Sequence, residues 1–95
     1  MNRARIQEAI EEAIQEIQAA SGREAIKLTL QTVIVNPAFG FDSLNGIEAC
    51  CLVEQKLGIK IDDHRNIFLD RDEQRAVTLA EIVACVADLI EKGEE

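Results

Sequence analysis

The chain has no tryptophan or tyrosine, one proline, one histidine and only three phenylalanines, so aliphatic side chains must fill its interior. Its three cysteines, Cys50, Cys51 and Cys85, are odd in number and two are adjacent. They offer neither a disulfide framework nor the CxxC or Cys/His spacing of a metal site. Read by composition, they are small buried hydrophobes in a reducing compartment. No apolar run approaches the length of a membrane span. The N-terminus mixes Arg3 and Arg5 with Glu8, Glu11 and Glu12, without the apolar core of a signal peptide, so a cytoplasmic location is expected. Basic residues are also scarce, 10 against 18 acids, for a net charge of −8. Such a surface repels phosphate backbones and anionic lipid, which argues against nucleic acid and membrane insertion and favours a basic protein partner.

What remains is a single domain spanning residues 1–95. Surface scaling buries about two-thirds of a chain this size, enough for one core but little for a deep catalytic cavity. Ile6, Ile10, Ala13, Ile14 and Ile17 recur at helical spacing over residues 3–20, with Asn2 as cap and Ser21-Gly22 as the end. Residues 26–35 have strand propensity but no partner strand, and read as an extended connection whose apolar side chains plug the core. Pro37 and Gly40 punctuate a turn. Asp42-Ser43 opens a second helix that runs to about Leu57 and stops at Gly58. It carries two apolar stripes, Gly46-Ala49-Val53-Leu57 and Leu44-Ile47-Cys51, of which only one is needed for a core. A short third helix fits over Asp62 to Leu69, followed by a charged loop from Asp70 to Arg75. Thr78-Leu79-Ala80-Glu81 is a capping box opening the last helix, whose buried face is Ile82, Val83, Val86, Leu89 and Ile90. The expected architecture is all-α: a small irregular four-helix bundle, three longer helices and one short, with a long first loop. A monomer is the natural expectation.

Enzyme readings find little support. A hydrolase using Ser43 and His64 needs glycines two residues either side of the serine, where Phe41 and Asn45 stand. A calcium loop over Asp70, Asp72, Gln74 and Glu81 has Arg75 where the sharp turn needs glycine. The distinctive local feature is Ser43 at a helix start. It serves either as a plain cap or as a hydroxyl displayed where backbone N–H groups favour phosphate.

The segment Gly40-Phe41-Asp42-Ser43-Leu44 resembles the attachment motif of acyl carrier proteins, a G-x-D-S-L opening to the second helix. The resemblance extends through Ile47-Glu48 and Leu57-Gly58-Ile59-Lys60-Ile61 to the helix after Thr78-Leu79, and includes length, acidity and element order. It implies that Ser43 receives 4′-phosphopantetheine from coenzyme A, through a magnesium-dependent phosphopantetheinyl transferase. It further implies that the chain carries acyl groups as thioesters between enzymes of fatty acid, specialised lipid or polyketide-type biosynthesis, with no catalytic groups of its own. Asp42 and Leu44 would flank the attachment point. Leu44, Ile47 and Glu48 match partner-contacting positions, and Cys51 and Glu54 extend that face toward acyl-transferring and condensing enzymes with basic docking patches. Asn45 and Gly46 stand where housekeeping carriers are acidic, and Gln55 and Lys56 weaken the acidic face, which points to a specialised carrier. The competing readings are an amino-acid or aryl carrier and a helical adaptor domain in which Ser43 is only a cap.

Overall fold

A computed structural model describes residues 1–62 and 65–93. Among these residues there are three α-helices, α1 (Arg3–Ala20), α2 (Ser43–Leu57) and α3 (Leu79–Gly93), with α1 packed against both others. A three-residue 3-10 helix, Pro37–Phe39, lies in the first connection, where the Pro37-to-Gly40 turn was expected. β-type pairing among the described residues is confined to isolated bridges.

The helix boundaries follow local chemistry. Asn2 accepts from Arg5 N at 2.8 Å to cap α1, and Gly22 lies past its end at φ 70°. Gly58, at φ 65°, closes α2 by donating its N–H to Glu54 O. The Thr78–Glu81 box forms as expected: Thr78 N donates to Glu81 Oε1 at 3.0 Å and Glu81 N to Thr78 Oγ1 at 3.3 Å. The two N–H groups between them are met from the first connection. Leu79 N donates to Thr32 O and Ala80 N to Leu30 O, both at 2.9 Å, so the start of α3 leaves no early donor orphaned.

The expected inward faces are in place. Ile6, Ile10, Ala13, Ile14 and Ile17 of α1 meet Ala49, Val53 and Leu57 of α2 and Ile82, Val83, Val86 and Ile90 of α3 in one core. Leu89 is only partly buried. Two of the three phenylalanines join this core: Phe41 and Phe68 lie with ring centroids 5.5 Å apart, just beneath the start of α2.

Two expectations need correction. Residues 26–35 are not uniformly extended. Ile26 and Ile34 plug the core, but Leu30 is exposed and a turn closes at Thr29–Thr32, with Thr32 N donating to Thr29 O at 3.0 Å. As expected, the segment has no partner strand among the described residues; its pairing with Thr78 is a single isolated bridge at Val33. The expected short third helix is absent from residues 65–69; His64 and Asp63, where it would begin, lie outside the described residues. Here hydrogen bonding to distant groups overrides the apolar pattern. Asn66 Oδ1 accepts from Phe68 N and its Nδ2 donates to Ser43 O on α2. Phe68 O then accepts from Val77 N, and Leu69 bridges to Ala76 around the Asp70–Arg75 turn. Backbone groups committed to a hairpin-like return cannot also serve a helix.

Gly46 makes this return possible. A β-carbon there would lie 2.8 Å from Asn66 Oδ1 and 3.2 Å from Phe68 Cβ. Asn66 is 2% exposed and bonded at both ends of its amide, so it cannot swing aside. Ala in place of Gly46 gains about 1 kcal/mol of helix propensity. Overpacking costs about 1–3 kcal/mol. Gly46→Ala is expected to lower the urea midpoint, and an unchanged or raised midpoint would contradict this close approach.

Asp70 and Glu81 also generate a prediction. Backbone N–H donation from Gln74 holds the Asp70 carboxyl below its ordinary 3.8, and donation from Thr78 holds Glu81 below its ordinary 4.5. Lowered folded-state values mean that the ionised forms favour folding; this contribution is complete above the ordinary values and is lost as pH falls through the lowered ones. The stability gap between the wild type and Glu81→Gln, read from urea midpoints between pH 7 and 3, should therefore close on acidification. A gap independent of pH would contradict this assignment.

Candidate functional site

The turn from Gly40 to Asn45 presents Ser43. Phe41, fully buried, pins the turn to the core, while Asn36 N donates to Phe41 O at 3.1 Å and squares off the preceding loop. The helix cap is Asp42: its Oδ1 accepts from Asn45 N at 2.9 Å, and Asn45 Oδ1 accepts from Asp42 N at 3.1 Å in return. Ser43 is therefore the first residue of α2 and not its cap, which corrects the plain-cap reading. Its hydroxyl is exposed and bonds to no described residue, and the backbone N–H groups of Ser43 and Leu44 are likewise unpaired among the described residues. An oxygen at this position sits where the positive end of the helix dipole and free N–H donors favour negative charge.

The second stripe of α2 is open. Leu44 is 68% exposed and Ile47 46%, with Glu48 and Cys51 exposed beside them. Glu54, half-buried on the same side as Ile47 and Cys51, turns its carboxylate to accept from Ile61 N at 2.7 Å, fixing the chain after α2. Lys56 points elsewhere. It pairs with Glu16 and Glu12 of α1, and the Glu16 contact raises its pKa, so it does not dilute the acidity of the Leu44–Cys51 face. Asn45 has a local reason. Its amide completes the reciprocal box with Asp42 while its Nδ2 donates to Glu48 Oε1 at 2.9 Å, which a carboxylate could not do.

The cysteines divide. Cys50 is buried with its thiol donating to Arg65 O, and burial pushes its pKa up to about 11, so it stays neutral and unreactive. Cys51 is exposed and Cys85 half-buried, contrary to the expectation that all three are core residues. The reason is helical spacing, which places Cys51 one full stripe away from Cys50. His64 lies outside the described residues. Among the described residues no group of acids, cysteines or histidines is placed to hold a metal ion, and no helix is long and apolar enough to cross a membrane.

Residues with no obvious motif do much of the positioning. Gln18, 2% exposed, donates to both Glu24 O and Phe39 O at 3.0 Å, tying the two ends of the first connection together. Arg23 bonds the serine turn directly, through Gly40 O and Asn45 Oδ1. Only Gly46, a glycine inside a helix, carried a sequence signal of its close contact. Comparison with protein families, curated proteins and solved structures finds no match.

Removing the cap and removing the displayed hydroxyl should have different costs. Asp42→Ala is expected to destabilise the fold by about 1 kcal/mol. Ser43→Ala should change stability by less than about 0.5 kcal/mol. Chemical denaturation of the two variants checks this, and a larger loss for Ser43→Ala would return the capping role to the serine.

Proposed function

We propose that the chain is a carrier of the acyl carrier type, with 4′-phosphopantetheine attached to Ser43. The observation that supports this most is the serine hydroxyl held exposed and unbonded at the first position of α2 while Asp42 does the capping. With the capping done by Asp42, the serine oxygen is available for another bond. The residues fit the group: an accessible oxygen to bear the phosphodiester, and adjoining N–H donors and helix dipole to favour the phosphate charge. When bound, the arm supplies a thiol on which acyl groups ride as thioesters.

The rest of the task falls to the chain's own surface. Leu44, Ile47 and Cys51 offer a narrow apolar strip beside the attachment point, with Glu48 at its edge. On a chain of net charge −8, such a face suits transient encounters with enzymes bearing basic patches: a transferase first, then acyl-transferring and condensing enzymes. In this reading the chain is a bearer, and the chemistry on the carried thioester falls to its partner enzymes. The departures at Asn45 and Gly46 are built into the packing of this chain, in keeping with a carrier dedicated to one pathway.

Intact-protein mass spectrometry after incubation with coenzyme A, magnesium and a broad-specificity phosphopantetheinyl transferase tests the proposal. The expected result is one phosphopantetheine on the wild type and none on Ser43→Ala. A folded wild type that several transferases leave unmodified would overturn the carrier reading, and the exposed strip of α2 would then belong to an adaptor domain.

A further inference from the structure

We infer that Arg23 is the positioning residue of the Ser43 turn, and that the shape of its guanidinium, beyond its charge, sets how readily Ser43 is modified. This rests on the carrier reading above. Arg23 follows the end of α1, and its side chain crosses the first connection. Nε donates to Gln18 Oε1 at 3.1 Å and Nη1 to Gly40 O. Nη2 donates to Ser21 Oγ at 3.2 Å and Asn45 Oδ1 at 3.0 Å. One planar group thus ties the terminus of α1 to both sides of the turn that displays the serine. No carboxylate pairs with it among the described residues; every acceptor is a neutral oxygen. The contribution of the group is therefore directional bonding more than charge pairing.

Packing and backbone geometry support the same assignment. Gly40 adopts φ 71°, and a β-carbon there would lie 2.6 Å from Arg23 Cδ. The turn is shaped to let the arginine stem pass. Asn45 Oδ1 receives both Arg23 Nη2 and Asp42 N, so the clamp and the helix cap share one oxygen. Losing the clamp leaves Gly40 O to solvent and Asn45 free to leave the box, and the turn then samples conformations other than the displayed one. A partner that recognises only the displayed form binds less tightly by the fraction lost. A lysine ammonium, a single point on a flexible stem, cannot serve four acceptors at these angles.

The experiment compares wild type, Arg23→Gln and Arg23→Lys in the full chain. Lysine retains the stem beside Gly40, so it keeps the comparison available should the glutamine variant fail to fold. Melting, amide exchange over residues 41–46 and transferase kinetics with coenzyme A and magnesium are read for each. The expected result for Arg23→Lys is a fall in kcat/KM for the carrier on the order of tenfold to a hundredfold, as for other small misplacements of a reacting group. KM for coenzyme A should not change, and exchange should quicken at Asn45 N while the middle of α1 and α3 stays protected. A lowered melting temperature with the folded fraction modified at the wild-type rate would make Arg23 merely structural and overturn the inference. Full rescue by lysine would overturn the role of the fork. A wild type that is itself never modified overturns the carrier reading and the inference together, whereas a modified wild type with unaffected variants overturns the inference alone.

Discussion

Backbone hydrogen bonding in the two long connections is the constraint on which the remaining structure depends. Residues 21–42, 58–62 and 65–78 are largely irregular, yet they must cover a small core, and buried N–H and C=O groups need partners whether or not a sheet is present to supply them. The protein meets this with side-chain amides. Gln15 takes both backbone groups of Ile26, donating to its O at 2.8 Å and accepting from its N at 3.0 Å, as a neighbouring strand would. Gln18 holds Glu24 O and Phe39 O, and Asn66 holds Ser43 O and Phe68 N. Side chains on helices and loops thus stand in for the missing ladders, and among the described residues no buried side-chain polar atom lacks a partner.

These amides also explain where the candidate site sits. The start of α2 is approached from two directions: the first connection brings Arg23 to Gly40 and Asn45, and the second brings Asn66 to Ser43 O through the gap left by Gly46. Beneath it lies the Phe41–Phe68 pair. The turn is held from below and from both sides, and the outward-facing hydroxyl of Ser43 is left over.

The apolar strip of α2 belongs to the same arrangement. Leu44 and Ile47 stay exposed because the opposite stripe of α2 already packs into the core against α1, and the return after α2 is anchored by Glu54 and by the bond from Asn66 to Ser43 O. Lys56 and Arg5 fasten the far end of α2 to α1, the first through Glu16 and Glu12 and the second through Lys56 O at 3.2 Å. Helix α2 is therefore fixed along its inner face at both ends and open along its outer face.

Much of this was legible in the residues alone. The three helices, the caps at Asn2 and Thr78–Glu81, the opening of α2 at Asp42-Ser43, the stops at Gly22 and Gly58, and the two stripes of α2 all follow from periodicity and capping chemistry. These are short-range effects, governed by residues three or four positions apart. The path of residues 65–77 was decided only in three dimensions. Ile67-Phe68-Leu69 matches a helix as well as a turn, and the choice fell to hydrogen bonds to Ser43 O and from Val77 N, remote in sequence. The same holds for Arg23, Gln18 and Asn66, polar residues without a motif whose importance comes from burial and from acceptors far along the chain. It holds also for Ser43, whose freedom from capping depended on Asn45 answering Asp42 and Arg23 bracing Asn45. Local pattern determined which segments coil and where they stop; tertiary contact decided how the connections run and which oxygen is left exposed, because only packing brings their partners within hydrogen-bond reach.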